Sequence, residues 1–290
     1  MLAMPALDRS IFYPGGSIGF LLIHGLGGTP VELRYVARGL ARSRHTVYCP
    51  QLAGHCGTED ELRVTTWHDW HASVVEAHEK LRTHCDVVIA GGLSMGAILA
   101  LHLAAEKPES VHGTVLYAPT LKLDGWSMPW YSRLFRLVTQ KWCADLFRFV
   151  ERHPYGIKDK RFRNLVVEAL HSGDSSQAGQ FSTPGGTMLE LRWLVNELRR
   201  ELSDIQQPAL IFHPRDDDRS SLESNAFYLQ RHLGGLVDTI VLDDSYHIVT
   251  VDRQRDILVD RSDAFARWLA ERHRHAATPP HALEPATAAE

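Results

Sequence analysis

Residues Gly92-Leu93-Ser94-Met95-Gly96 set a serine between two glycines. The apolar run Asp86 to Ala90 precedes them, and strong helix formers follow from Met95 to Glu106. A serine on such a strand-to-helix turn is a nucleophile elbow. The turn is too tight for side chains at the glycines, and the serine is held strained above the sheet edge. The helix start offers backbone N–H groups and the positive dipole end to a developing oxyanion. The chemistry is attack on an acyl carbon, and it needs a base, because a serine alkoxide does not exist free at neutral pH. Of the 17 histidines, His247 stands in a loop just after the last predicted strand, where it overhangs the elbow. The residue that orients this base belongs after the preceding strand, and Asp216-Asp217-Asp218 follow Ala209–Pro214. The chain order is then Ser, Asp, His. Three adjacent aspartates leave the acid open; the two not used read as solvated loop carboxylates or turn formers.

A second oxyanion donor belongs to the loop after the first buried strand. His24-Gly25-Leu26-Gly27-Gly28 suits it, because glycines let backbone N–H groups approach a ligand. The expected donors are the N–H groups of Leu26 and Met95. His24 is read as a structural hydrogen-bonding residue, not a base.

The elements that must hold these groups alternate. Ile18–Ile23, Thr46–Cys49, Asp86–Ala90, Thr114–Tyr117, Ala209–Phe212 and Thr239–Leu242 read as strands. Between them, 30–41, 66–83 and 95–106 carry apolar residues at helical spacing. This predicts an α/β fold with a mostly parallel sheet covered by helices. The alternation fails between Pro119 and Leu202, where Trp126, Trp130, Trp142, Trp193 and three phenylalanines gather around a Gly/Ser-rich break from Ser172 to Gly186. The reading is 1–118 and 203–272 as core, 119–202 as an inserted, largely helical segment, and 273–290 as a disordered tail.

The chain has 290 residues, 44% of them hydrophobic, and a net charge of -4. That balance gives no reason to expect nucleic acid or an anionic membrane as partner. Its four cysteines form neither a disulfide framework nor a zinc pattern. The N-terminus lacks a leader pattern, and the apolar runs fall far short of the ~20 residues of a membrane span. The expectation is a soluble, cytoplasmic protein with no stable membrane insertion.

Taken together, Leu21 to Pro30, Leu52-Ala53-Gly54-His55, Gly92 to Gly96 and Asp244-Ser245-Tyr246-His247 resemble bacterial carboxylesterases and monoacylglycerol lipases of the α/β-hydrolase superfamily. The resemblance spans roughly residues 15 to 272. It implies the α/β-hydrolase fold with a small helical cap between the sixth and seventh strands, and it selects Asp217 as the acid. Cys56 departs from the family pattern, as does the Arg219-Ser220 pair that replaces more apolar residues.

The expected reaction is ester hydrolysis through an acyl-enzyme on Ser94, with a small-molecule ester as substrate and no metal or organic cofactor. Trp126, Trp130 and Phe135, with Leu137 and Trp142, are candidates to line an acyl or alcohol pocket; the other use for each is to pack the cap on the sheet. The alternatives are acyl transfer or thioester cleavage by the same three residues, or a ligand-sensing protein without turnover. A sensor has no need of all three.

Overall fold

A computed structural model of the chain describes residues 8–171 and 179–277. Seven strands form one sheet: β1 (Ile11–Tyr13), β2 (Ile18–Ile23), β3 (Thr46–Cys49), β4 (Val87–Leu93), β5 (Gly113–Tyr117), β8 (Ala209–Pro214) and β9 (Val237–Leu242). Their order is β1-β3-β2-β4-β5-β8-β9. All pair in parallel except β1, an antiparallel edge on β3. The three residues of β1 are too few to show a period, which is why the sequence reading omits them.

Central strands are buried on both faces, so their residues alternate between two cores. Leu21 and Ile23 face α3 (Trp67–Arg82) and α4 (Met95–Glu106), where Trp70 is fully buried. Phe20 and Leu22 face α1 (Arg34–Arg42) and α8 (Arg255–Ala277). The helix expected over 30–41 divides in two. The Thr29 side chain accepts from Val31 N–H at 3.3 Å, which starts a tight 3-10 turn over Pro30–Leu33 before α1 begins. A further helix, α2 (Glu59–Val64), starts at a capping box of Thr58 and Glu61. The last helix runs to Ala277, past the expected end at 272; the tail beyond 277 and the 172–178 part of the Gly/Ser-rich break lie outside the described residues.

The insertion leaves the sheet after β5 and returns at β8, between the fifth and sixth strands of the large sheet in chain order. That is one strand earlier than the resemblance implies, because a single strand precedes β2. The segment holds a 3-10 stretch (Trp130–Leu137), α5 (Lys141–Ala144), α6 (Lys160–His171) and α7 (Gly185–Glu201). It also holds a two-stranded antiparallel ribbon of β6 (Arg148–Val150) and β7 (Ser182–Pro184), absent from the sequence reading. Buried Glu190 of α7 ties the insertion to the core. It accepts from Lys141 Nζ at 2.9 Å and from Trp67 N–H at 3.3 Å.

Candidate active site

Ser94 ends β4 with φ 56° and ψ -113°, a conformation costly for any residue but glycine. The strain is held from two sides. Ser94 N–H donates to Tyr117 O at 2.9 Å, and Ile23 O of β2 presses on the turn. A Cβ on Gly92 would stand 2.3 Å from Ile23 O, and one on Gly96 would stand 2.0 Å away. The two glycines are therefore set by the neighbouring strand.

His247 Nε2 lies 3.0 Å from Ser94 Oγ. On the far side of the ring, His247 Nδ1 donates to Asp217, at 2.8 Å to Oδ2 and 3.1 Å to Oδ1. Asp217 Oδ1 also accepts from the N–H groups of Arg219 (2.8 Å) and Ser220 (2.9 Å). Burial alone would push this carboxyl up, but the adjacent His247 and the donated hydrogen bonds hold it at about 2. The structure brings Ser94, His247 and Asp217 into one hydrogen-bonded line, and it places Asp216 in an exposed turn.

Asp218 departs from the expectation of a solvated loop carboxylate or turn former. It is 1% exposed. Its Oδ1 accepts from His247 N–H at 3.3 Å and its Oδ2 from Gly156 N–H at 3.1 Å. It fastens the histidine loop to the insertion. Burial pushes its carboxyl above the ordinary value, against the pull of Arg219 and His247.

Leu26 and Ser94 line one cavity, and Met95 follows Ser94 at the start of α4. Neither the Leu26 nor the Met95 N–H has a hydrogen-bond acceptor among the described residues. His24 is fully buried behind this loop. Its Nδ1 donates to Gly25 O at 2.9 Å, and its Nε2 accepts from Leu52 N–H at 3.3 Å. Burial, with His55 beside it, pushes its pKa down to about 3, so the ring stays neutral and shapes the loop.

The cavity is lined by charged and by apolar residues. Glu32, Glu151, Arg152 and Arg219 are among the first, and Met128, Phe149, Met188 and Leu191 among the second. Arg219 is paired bidentately with Glu151, which keeps both charges in place. Glu32 Oε2 accepts from Gly25 N–H at 3.3 Å, and burial pushes its carboxyl up to about 7. Sequence reasoning missed Glu32, Glu151 and Phe149. None belongs to a motif, and only the fold carries the ribbon over Ser94.

Of the residues expected to line a pocket, Phe135 borders an apolar cavity and Trp126 does not border the one over Ser94. Trp126 is 59% exposed and lies outside the cavity. Its Nε1–H donates to Asp216 O at 3.2 Å and its ring meets Tyr246 edge-on, so the indole ties the insertion to the acid loop. Phe135 is buried against Phe147 and Phe149 and lines an adjoining apolar cavity, not the one over Ser94. The Trp130 side chain lies outside the described residues. Leu137 and Trp142 are exposed. Met128, Phe149, Met188 and Leu191 border both cavities.

A strained serine on a strand-to-helix turn, facing a histidine and a buried aspartate above a parallel sheet, is the arrangement of one large class of proteins. The chain belongs to the alpha/beta hydrolase family, which it matches over residues 20–279. Among its relatives is the thermostable monoacylglycerol lipase of Bacillus sp. (strain H-257), 29% identical over 251 residues. That match covers 86% of this chain and 90% of the relative. The carboxylesterase of Bacillus subtilis (strain 168) is 24% identical over 252 residues, covering 85% and 91%. A solved structure from work on LipS and LipT, two metagenome-derived lipolytic enzymes, superposes with a TM-score of 0.76 at 26% identity. It covers 89% of this chain and 96% of that one.

Among the described residues no helix is long and apolar enough to cross a membrane, and no group of three His, Cys, Asp or Glu could hold a metal ion.

Proposed function

We propose that the protein hydrolyses carboxylic esters of short or medium acyl chain, monoacylglycerols among them, through an acyl-enzyme on Ser94. The observation that carries this is the line Ser94 Oγ to His247 Nε2 (3.0 Å) to Asp217 (2.8 Å) beside a cavity lined by apolar and charged residues. His247 takes the Ser94 proton as Oγ attacks the ester carbonyl. The Leu26 and Met95 N–H groups receive the oxyanion, and Asp217 stabilises the imidazolium. His247 then protonates the leaving alcohol, and water repeats the sequence on the acyl-enzyme. The apolar lining and the adjoining cavity suit an acyl chain, and the charged residues suit an alcohol bearing hydroxyls. The names of the two Bacillus relatives support ester cleavage.

The test is turnover of p-nitrophenyl esters of graded chain length, alongside Ser94→Ala and fluorophosphonate labelling. Turnover that peaks at one chain length and vanishes in the variant is expected. A folded protein with no turnover on any ester and no label on Ser94 would sink the reading.

A further inference from the structure

The scheme above leaves one group in contact with the nucleophile unused. Thr120 is 1% exposed, and its hydroxyl oxygen lies 3.1 Å from Ser94 Oγ, 3.1 Å from Ala118 O and 3.4 Å from Ser220 Oγ. The Thr120 proton has Ala118 O and Ser220 Oγ as acceptors, and Ser94 Oγ, whose hydroxyl donates to Thr120 at rest, becomes a third once its own proton has left. The Ser220 hydroxyl is committed elsewhere: it donates to Asp217 Oδ2 at 3.2 Å, so its oxygen faces Thr120 only as an acceptor. Ala118, which supplies the carbonyl, holds a left-handed φ of 44° with its N–H bound to Phe212 O. That conformation is costly outside glycine and persists only where its surroundings impose it.

We infer that Thr120 is a catalytic residue whose hydroxyl rests on Ala118 O and turns its proton to Ser94 Oγ when negative charge builds there. Charge builds on that oxygen twice: as Ser94 loses its proton to His247 during attack, and as it departs when the tetrahedral intermediate formed by water on the acyl-enzyme collapses. A charged oxygen is a much stronger acceptor than a neutral carbonyl. Rotation about one C–O bond makes the exchange, with no movement of heavy atoms. No bond is broken, since the proton stays on Thr120 throughout. The backbone oxyanion donors serve the substrate's carbonyl oxygen, whereas Thr120 serves the attacking one. This inference rests on Ser94 being the nucleophile.

The experiment compares wild type, Thr120→Val and Thr120→Ser in two assays: p-nitrophenyl ester turnover and the rate of fluorophosphonate labelling of Ser94. Losing a hydrogen bond to a charged group should lower both kcat and the labelling rate of the valine variant by about 10- to 100-fold. KM should stay near the wild-type value, and Thr120→Ser should recover most of both rates. If Thr120→Val fails to fold, Thr120→Ala carries the same expectation. Wild-type labelling in the valine variant overturns the inference, as does a serine variant no faster than the valine one, since the methyl group would then be what matters. Absence of any label on wild-type Ser94 overturns the proposed function and this inference together.

Discussion

Two neighbouring aspartates have opposite jobs at the scale of single residues. Asp217 presents both oxygens to the His247 ring, while Asp218 holds the backbone of the same histidine. Asp217→Asn keeps the shape but favours the wrong imidazole tautomer, and should lower kcat about 10⁴-fold with little change in KM. Asp218→Ala leaves the ring's partner intact but frees two buried N–H groups. It should cost about 2–5 kcal/mol of stability, with a much smaller fall in kcat. Steady-state kinetics and urea unfolding on both variants separate the roles; equal losses of kcat would contradict the assignment. Ser94 and His247 were legible in the sequence because each sits on a short local pattern beside a readable strand, whereas Asp217 was picked from its run of three only by the family resemblance. Asp218 was not, since nothing local says which member of an aspartate run is buried. Thr120 and Ser220 were also illegible, as their hydrogen bond joins positions 100 residues apart.

Elements differ in legibility for a related reason. Parallel strands buried on both faces are continuous apolar runs, and six of the seven sheet strands were visible as such. The insertion gave weaker signals because its own buried cluster is small among the described residues: Phe135, Ala144 and Leu189. Of its side chains, Trp126 serves as a tie, whereas Met188 and Leu191 of α7 line the cavity. The arrangement of α7 makes a substrate prediction. Both residues border the catalytic and the adjoining cavity, so an acyl chain that grows past them enters the second space. Each added methylene buried there contributes about 0.8 kcal/mol, or roughly a fourfold rise in kcat/KM, until the space is filled. Leu191→Trp should move the optimum to shorter chains while leaving acetate esters nearly unaffected. An optimum that stays in place would show that the chain runs elsewhere.

Stability against pH belongs to the whole molecule, because buried groups from both sides of the sheet contribute with opposite signs. His24 and His55 are pushed down to about 3 and about 4 by burial, from an ordinary 6.5. Between those values the unfolded chain binds protons that the folded chain refuses, so stability rises with pH up to about 6.5. Glu32 works the other way. Burial lifts its carboxyl from 4.5 to about 7, opposed by the Gly25 N–H and Arg219. Across that window the folded chain keeps a proton that the unfolded chain releases, so this group makes stability fall as pH rises. With His71, His78, His112 and His213 also lowered by burial, the histidines outnumber the raised carboxyls of Glu32 and Asp218, and the net slope from pH 4.5 to 6.5 should be positive. Glu32→Gln removes the opposing contribution, and the slope should steepen by at most about 1.4 kcal/mol per pH unit. Urea midpoints for both proteins at half-unit steps from pH 4.5 to 7.5 would measure it. An unchanged slope would mean that Glu32 is ionised throughout, as a carboxylate held by Arg219 would be. The oxyanion loop would then carry a fixed negative charge beside Gly25, and Glu32→Gln, which removes it, should raise turnover by a factor that does not change with pH.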